Sequence, residues 1–384
     1  MTAAEAEKKR RPKDRRQQIL LNARSQFAQL GYHNVTMASI AEAVDISPGA
    51  LYRHFSNKSV LLEAAVASSF DDVAPVRTSS ESIAEMLAVN CMIAVRFRET
   101  GLLWSREARN LPPEAHKALR ERLRESNDIY AGLILAARPD LSAADAEILA
   151  WAILSILSSP GHHSVELPTT EFANVLAASG LEVVRADIRT TGLTVETLPS
   201  SLEPASQRER LLSSAIALFG LKGYQATGMN DIGAAAGVSG PSLYSYFDSK
   251  SDLLNAAIER GTHALWIALH TALRHNTTHD DALMDVVRSY VLMTEENVNL
   301  TSLLFAEPAL LAPDAQRSQR EYVAEWVALL RGARPQLAEG TARVLVHAAL
   351  GVIHDLMRTP HLAATERFSS KVIIVASAVL RSGD

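Results

Sequence analysis

The chain has 384 residues, too many for one small hydrophobic core and enough for two or three domains. Apolar residues make up 47% and charged residues 21%, a globular composition that excludes extended disorder and collagen. The single cysteine excludes a disulfide framework and a multi-cysteine zinc site, so we expect a reducing, cytoplasmic location. We expect no secretory signal, because no apolar stretch follows the charged residues near Met1. We expect no membrane partner, because the longest apolar runs are about half the ~20 residues that a membrane span needs.

The net charge of −5 argues against a protein that coats nucleic acid along its whole length. The charge is unevenly distributed, however, because residues 1–66 carry ten basic and six acidic side chains, whereas residues 206–258 carry four of each. A local basic surface is therefore expected at the N-terminal end of the chain.

The main feature of the sequence is an internal repeat, found when the chain is aligned with itself at a shift of 192 residues. Residues 17–66 then match residues 209–258 without a gap. The paired identities include Phe27 with Phe219, Gly31-Tyr32 with Gly223-Tyr224, Leu51-Tyr52 with Leu243-Tyr244, Phe55 with Phe247, and Lys58-Ser59 with Lys250-Ser251. Weaker matches follow in the same order at shifts of 200 and 196, so the chain consists of two copies of one helical module.

Each copy is predicted to begin with three short helices, which are placed here in the first copy. Apolar residues at helical spacing indicate the first helix over about 15–30. Thr36 is expected to cap the N-terminus of the second helix, and Ser47-Pro48 joins a hydroxyl cap to a proline in the first turn of the third. A fourth helix is predicted from about Lys58. Two short helices joined by a tight turn form a helix-turn-helix (HTH).

The third helix carries residues suited to DNA recognition. Gly49 and Ala50 are small enough for its N-terminus to approach a major groove, and the next exposed side chains can reach bases or phosphates. These side chains are Tyr52, Arg53 and His54. Lys58 starts the fourth helix, where its ammonium and free backbone N–H groups could share a phosphate. A purely structural helix pair is the alternative, and the presence of two matched copies favours DNA binding.

Together these residues resemble the DNA-binding domain of TetR-family repressors. The resemblance is carried by Gly31-Tyr32, Thr36, Ile40, Ser47, Leu51-Tyr52, Phe55, Lys58 and Leu61-Leu62, and by their counterparts in the second copy. It implies an all-α fold of two fused TetR-like modules, each with an N-terminal three-helix HTH domain and a helical ligand-binding and dimerisation domain. Two such modules in one chain are similar to the tandem TetR repressors of actinobacteria. The basic opening segment is similar to that of the repressors of mycobacterial mce transport operons.

The resemblance also implies which residues contact DNA. In the first copy they are Thr36, Ser47, Pro48, Gly49, Ala50, Tyr52, Arg53, His54 and Lys58. In the second copy they are Ser239, Gly240, Pro241, Ser242, Tyr244, Tyr246 and Lys250. Gly228 stands where the first copy has Thr36, which puts the phosphate contact and the helix cap of the second copy in doubt. Because Tyr246 replaces His54 and Ser245 replaces Arg53, we expect the two copies to prefer different half-sites.

The repeat and the composition of the connecting segments set the expected domain organisation. The expected units are a basic arm (1–14), a first HTH domain (15–66), a first regulatory domain (67–189), a linker (190–206), a second HTH domain (207–258) and a second regulatory domain (259–384). The basic run at 8–13 is either a solvated tail or an arm that reaches the DNA backbone or minor groove. Its position next to the first HTH domain favours the arm.

Amphipathic helices are predicted in both regulatory domains. Their approximate ranges are 82–99, 113–136, 143–158 and 170–188 in the first, and 281–297, 313–332, 340–358 and 364–380 in the second. TetR-like proteins pair the last two helices of each subunit, and the apolar segments 148–157 and 344–350 suit that interface. The two copies would then pair within one chain, and a monomer would act as a pseudo-dimer. Its two recognition helices would lie about one turn of DNA (~34–36 Å) apart.

The resemblance further implies a ligand pocket among the middle helices, whose lining residues the sequence leaves open. Candidate polar lining residues are Asn90, Trp104, His347 and His354. Both of these histidines are better explained as core or interface residues. Cys91 lies on an apolar helix, where packing explains it better than a redox switch. His162-His163 has no nearby carboxylate or thiol partner, so we expect no metal site and no cofactor.

These features predict a sequence-specific repressor of transcription, bound to double-stranded DNA at an operator with two unlike half-sites. A small-molecule inducer, for which a lipid-like compound is one candidate, would favour a conformation in which the recognition helices no longer fit the grooves. A DNA-binding regulator without a ligand and an activator are open alternatives. An enzyme is disfavoured because no HExxH, GxSxG, GxGxxG or P-loop spacing is found, so no catalytic residue is expected.

Overall fold

The computed structural model describes residues 12–74, 82–189, 204–301 and 311–383. These residues form α-helices joined by turns and short 3₁₀ segments, and no β-strand occurs among them. The predicted all-α fold is confirmed. Residues 8–11 of the basic run and residues 190–203 of the predicted linker lie outside the described residues.

The first copy contains nine helices within the described ranges. They are α1 (Pro12–Leu30), α2 (Met37–Ala43), α3 (Pro48–His54), α4 (Lys58–Asp72), α5 (Ile83–Arg96), α6 (Glu99–Glu107), α7 (Pro113–Ala137), α8 (Ala143–Ser158) and α9 (Thr169–Arg185). The predicted bounds agree to within a few residues, with one exception. The helix expected over 82–99 ends at Arg96, and the sequence did not predict α6, which follows it.

The second copy repeats this order over its described residues. Its helices are α10 (Gln207–Lys222), α11 (Met229–Ala236), α12 (Gly240–Tyr244), α13 (Lys250–His275), α14 (His279–Glu296), α15 (Pro313–Ala333), α16 (Glu339–Met357), α17 (Pro360–Ala363) and α18 (Phe368–Leu380). Residues 298–301 are also helical. The final helix was expected from about 364 and begins four residues later, after the short α17.

Each HTH domain has a hydrophobic core of its own. In the first, Phe27, Ile40 and Leu51 are fully buried, which holds α1, α2 and α3 together. The second core is built from the equivalent positions, including Phe219 and Leu243. Because burial of a large apolar side chain contributes about 1.5–3 kcal/mol, a few such residues are enough to fix the angle between these short helices.

A third and larger hydrophobic core is shared by the two regulatory domains. Helices α8 and α9 of the first copy pack against α16 of the second, and α9 also packs against α18. Both apolar segments expected at a dimer interface lie in this core. The stretch Ala143–His162 is long and apolar enough to cross a membrane by length and composition, but 61% of its 18-residue apolar window is buried inside the fold, as in the core helix of a globular protein.

Polar contacts also join the two copies across this core. The Lys371 ammonium donates to Asp145 Oδ1 at 2.7 Å, and both side chains are largely buried. The hydroxyls of Ser179 and Ser382 lie 2.9 Å apart. These buried contacts specify one register between the copies, because any shift would leave the charged groups without partners. Within one chain, the two copies therefore pack as partners.

Candidate nucleic-acid interface

Two side-chain caps fix the start of the helices in the first HTH domain. Thr36 Oγ1 accepts from the Ser39 N–H at 3.0 Å, and the Thr36 N–H donates to Ser39 Oγ at 3.2 Å, a reciprocal capping box. Ser47 Oγ accepts from the Ala50 N–H at 3.2 Å, with Pro48 next in the chain. Both predicted N-caps are confirmed. Each cap orients its helix and satisfies a backbone N–H that the helix leaves unpaired.

Helix α3 presents one face to the core and the other to solvent. Leu51 and Phe55 are buried, whereas Arg53 and His54 are exposed and Tyr52 is 50% exposed. Pro48 and Gly49 at its start are exposed as well, so the helix N-terminus is accessible. An accessible short helix with aromatic, basic and small side chains is the arrangement that enters a major groove.

The recognition helix of the second HTH domain is shorter. Helix α12 covers five residues, since the Ser245 and Tyr246 N–H groups donate to carbonyls three residues back and close a tight turn. Tyr244 and Tyr246 are 51% and 43% exposed. The Tyr246 hydroxyl donates to Gln207 Oε1 at 3.1 Å, which links the recognition segment to the first turn of α10.

The structure shows how helix α11 begins at Gly228, where the first copy has the capping residue Thr36. Gly228 has no side-chain oxygen, and its own N–H donates to Asp231 Oδ2 at 3.0 Å. Only the Asp231 half of a capping box is therefore present at the start of α11, whereas the first HTH domain has both halves at α2. Neither Ser239 nor Gly240 gives α12 a side-chain cap of the kind that Ser47 provides, because Ser239 Oγ bonds to Ser242 Oγ instead.

The matched lysines serve a structural role that the sequence did not predict. Lys58 Nζ donates to the carbonyls of Tyr32 and Val35 at 2.8 and 2.9 Å and lies 4.2 Å from the centroid of the Tyr32 ring. Partial burial lowers the pKa of the Lys58 ammonium. Two of its three N–H groups are thus used within the protein, and its phosphate contact stays a prediction.

The second copy repeats this contact. Lys250 Nζ donates to the carbonyls of Tyr224 and Thr227 at 2.7 and 3.0 Å and lies 4.3 Å from the Tyr224 ring centroid. In both domains the lysine ties the start of the fourth helix to the segment between the first and second helices. Its partners are 26 and 23 residues away, so only the folded chain brings them together.

A cavity of about 750 Å³ lies between the first HTH domain and the shared core. Helices α4 to α8 and the end of α16 supply its walls. Two of the four candidate polar residues, Asn90 and Trp104, line this cavity, while the other two do not. His354 Nε2 lies 2.8 Å from the Tyr290 hydroxyl, and the His347 ring stacks on His163.

Burial explains the state of these two histidines. It lowers the pKa of His354 to about 3 and that of His347 to about 4, so both rings are neutral near pH 7. Their interpretation as core or interface residues is confirmed. Cys91 is fully buried, which raises the pKa of its thiol to about 12 and agrees with a packing role.

The cavity combines aromatic walls with basic groups. The aromatic side chains in its lining are Phe70, Phe97, Trp104, Tyr130 and Trp151. Arg120 and Arg124 are exposed and one turn apart on α7, and Arg358 from the second copy lies 3.9 Å from Asp355. No pattern in the sequence predicts that these arginines lie together, because α7 and the end of α16 converge only in the folded chain. Among the described residues, no group of three potential metal ligands occurs.

Comparison with known proteins identifies the repeated HTH unit. The family described as bacterial regulatory proteins, tetR family, matches residues 19–65 and again residues 211–257. Both HTH domains therefore match the tetR family. The two matched segments are the two HTH domains, so this chain carries the DNA-binding unit of the TetR family twice.

Curated relatives each match part of the chain. The HTH-type transcriptional activator FasR of Mycolicibacterium smegmatis is 33% identical over 107 residues, which are 28% of this chain and 49% of FasR. The HTH-type transcriptional repressor AcnR of Corynebacterium diphtheriae is 36% identical over 81 residues, or 21% of this chain and 37% of AcnR. The chain thus spans about half the length, or less, of the curated relatives that it matches.

Solved TetR-family structures are similar to part of the chain. A TetR-family regulator from Bordetella parapertussis matches with a TM-score of 0.43 and 20% identity, over 47% of this chain and 96% of that protein. PfmR from Thermus thermophilus matches with a TM-score of 0.39 and 23% identity, over 46% of this chain and 99% of PfmR.

Proposed function

We propose that this chain is a cytoplasmic, sequence-specific DNA-binding regulator of transcription of the TetR family, and that it acts as a repressor. The observation that carries the proposal is the pair of HTH domains, each with an exposed recognition helix, joined through one shared core. The residues proposed to contact DNA are those named for the two HTH domains in the sequence analysis. The roles of Lys58 and Lys250 at phosphates are proposed in addition to their structural contacts.

The operator is proposed to contain two unlike half-sites read by one chain. Arg53 and His54 are exposed on α3, whereas Ser245 and Tyr246 occupy the equivalent positions after α12. Different donors and acceptors at these positions favour different bases. The contacts between α8, α9, α16 and α18 support a monomeric pseudo-dimer, because they form within one chain at high effective concentration.

The cavity is proposed to hold a small-molecule inducer. Its aromatic walls suit an apolar body, and Arg120, Arg124 and Arg358 suit an acidic group on the same molecule. A lipid-like carboxylate or a related amphipathic anion has both features. An inducer that binds more tightly to the conformation in which the recognition helices do not fit the grooves would release the DNA. The name of FasR makes an activator the second candidate function.

The proposal is tested by selecting DNA from a random pool with the intact chain and measuring the mass of the complex by light scattering. We expect one chain per selected site and an imperfect palindrome. Two chains per site would contradict the pseudo-dimer, and failure to enrich any sequence would contradict DNA binding itself. Footprinting then assigns the half-sites, since Tyr52→Ala and Tyr244→Ala should each weaken one of them about tenfold.

A matched control separates DNA contact from general damage. Leu221 is highly exposed on α10 of the second HTH domain and carries no predicted contact, so Leu221→Ser should leave both half-sites protected. His54→Ala should change the bases selected at the first half-site and leave those of the second unchanged. Equal changes at both half-sites would refute the assignment of His54 to one of them.

A further inference from the structure

An aromatic cluster lies among helices α13, α14, α15 and α16 of the second regulatory domain. At its middle is Tyr290 of α14, whose ring centroid is 5.5 Å from that of Trp326 and 6.2 Å from that of Tyr322, both on α15. The Tyr322 ring is in turn 5.7 Å from the ring of Trp266 on α13. The Tyr290 hydroxyl lies 2.8 Å from Nε2 of His354 on α16. Each of these four helices therefore supplies at least one ring to the aromatic cluster.

The internal repeat relates the aromatic cluster to the cavity of the first copy. Helices α5 and α14 align at a shift of 200, which matches buried positions such as Cys91 and Val291. The helix pairs α7 with α15 and α8 with α16 align at the shift of 196 that matches residues 137–141 with residues 333–337. Helices α5, α7 and α8 supply walls of the cavity, so α14, α15 and α16 are the equivalent walls in the second copy.

At three equivalent wall positions, a small polar side chain in the first copy is replaced by a ring in the second. The pairs are Asn90 with Tyr290, Ser126 with Tyr322, and Ser158 with His354. All three first-copy residues line the cavity. A buried aromatic side chain covers about 150–250 Å² of surface, far more than a serine. The space that the first copy leaves open at these positions is therefore taken by side chains in the second.

Helix α13 supplies a further ring that α4 does not. It has 26 residues, whereas α4 has 15, and Trp266 lies in the part of α13 that extends beyond the end of α4 in the alignment at a shift of 192. The ring of Trp266 meets that of Tyr322 edge to face, at an interplanar angle of 80°. A longer helix thus adds a fourth ring to the three side-chain replacements.

The aromatic cluster also satisfies polar groups from within the chain. The Tyr290 hydroxyl is paired with the His354 ring, and Trp266 Nε1 donates to Ser318 Oγ at 2.8 Å. Trp326, at the position of the cavity residue Tyr130, is fully buried beneath them. Buried hydroxyl and indole groups need such partners, which a bound molecule or a neighbouring side chain can provide. In the second copy, side chains provide them.

We propose that the chain binds one ligand, in the cavity of the first copy, and that the aromatic cluster takes the place of a ligand in the second copy. The proposal rests on the proposed function and adds the stoichiometry of the ligand and the residues that determine it. Asn90, Ser126 and Ser158 leave room for the ligand, whereas their counterparts in the second copy exclude one. The second copy still contributes to the single site, because Arg358 at the end of α16 lines the cavity of the first.

The test counts the molecules of a defined probe that the intact chain binds. The probe is 8-anilinonaphthalene-1-sulfonate, which joins an aromatic body to one anionic group, the chemistry proposed for the cavity. Isothermal titration calorimetry without DNA gives the number of probe molecules per chain, and we expect one.

The first variant transfers two rings of the aromatic cluster into the cavity. Asn90→Tyr combined with Ser126→Tyr should weaken probe binding by about tenfold or more, because the rings occupy the space of the probe. Val89→Tyr is the matched control. It adds the same side chain one position earlier on α5, where Val89 is 38% exposed and outside the cavity lining, and it should bind the probe as the parent does. Thermal melting followed by circular dichroism verifies that both variants are folded.

The second variant makes the reciprocal change. Tyr290→Asn combined with Tyr322→Ser gives the second copy the side chains of the first, and we expect two probe molecules per chain. If melting shows that this double variant is unfolded, Trp266→Ala replaces it, because Trp266 lies at the partly exposed edge of the aromatic cluster and its loss disturbs the core least.

Four results would overturn the proposal: two probe molecules per parent chain, no probe bound by the parent, undiminished binding by Asn90→Tyr with Ser126→Tyr, or one probe molecule per chain in the folded reciprocal variant. Failure of the proposed repressor looks different. The titration contains no DNA, so that failure is seen separately, as a chain that binds one probe molecule and selects no DNA sequence.

Discussion

The two HTH domains keep the same long-range contacts and differ in their local ones. In each domain a lysine ammonium donates to two carbonyls and lies over a tyrosine ring, and an arginine lies above a buried phenylalanine. Each first helix also ends at a glycine with positive φ. The pairs are Lys58 with Lys250, Arg16 with Arg208, and Gly31 with Gly223. Helix caps, the turn residue and the exposed recognition residues have all changed.

The difference between the domains shows which contacts define this small fold. Asp45 has a φ of +53° in the turn of the first HTH domain, where the second has Gly237 at +65°. Thr36 caps α2, where the second copy has Gly228. Local defects of this kind cost about 1 kcal/mol each and leave the arrangement of helices intact. Contacts between distant segments determine that arrangement, and they are the ones that both copies retain.

The largest expected effect comes from the shared lysine contact. Lys58→Met and Lys250→Met keep the apolar stem and remove the ammonium, which leaves two carbonyls without their donor. Each variant should lower the free energy of opening of its own HTH domain by about 2 kcal/mol. Hydrogen exchange of the intact chain, resolved by peptides, reports the two domains separately. Lys117→Met at an exposed site of α7 is the control, and unequal losses in the two domains would refute the shared role.

The sequence predicted well those features that depend on near neighbours. Thr36 and Ser47 were recognised as caps because each bonds to a backbone N–H three residues ahead, and the repeat located the second HTH domain directly. The contacts of Lys58 were missed, because its partners lie in an earlier turn of the chain. Helix α6 was missed because the residue at its N-cap position is Arg98, whose side chain offers no capping oxygen.

The turn between the second and third helices should show the next largest effect. Asp45→Gly should raise the free energy of opening of the first HTH domain by about 1 kcal/mol, because glycine adopts positive φ without a steric cost. Gly237→Asp should lower that of the second by a similar amount. Hydrogen exchange of the peptides that cover the turn measures the free energy of opening in both variants. Asp45→Asn is the control, since asparagine tolerates this conformation as aspartate does. A loss of stability in Asp45→Gly would mean that the carboxylate makes a favourable contact in the turn.

The candidate site was only partly predictable. Exposure of Tyr52, Arg53 and His54 follows from their spacing around the buried Leu51, which periodicity alone reveals. The cavity could not be placed, because its basic groups come from α7 and from the end of α16 in the other copy. Arg109 Nη1 lies 3.3 Å from the position that a Cβ on Gly223 would occupy, although the two residues are 114 positions apart in the chain. Nothing local in either segment indicates this contact.

Changes at the helix caps should have effects of the same size or smaller, and of opposite sign in the two domains. Thr36→Ala removes the hydroxyl that accepts from Ser39 and should destabilise α2 by about 1 kcal/mol. Gly228→Ser adds a cap oxygen at the start of α11 and should stabilise it by about 0.5 kcal/mol. Exchange rates of the amides in the first turn of each helix report the change. Thr36→Ser retains the hydroxyl and should match the parent, whereas equal damage from serine and alanine would show that the methyl group is responsible.

The smallest effect on stability is expected at Tyr246, and it separates packing from DNA recognition. Tyr246→Phe removes an exposed hydrogen bond to Gln207 and should cost the second HTH domain about 0.5 kcal/mol. Gln207→Ala removes the same bond and leaves the tyrosine hydroxyl in place. If Tyr246 contacts DNA, Tyr246→Phe weakens the second half-site in a footprinting titration and Gln207→Ala does not. Equal losses in the two variants would show that the hydroxyl only positions the recognition segment, which would leave Tyr244, the counterpart of Tyr52, as the tyrosine proposed to contact DNA in the second HTH domain.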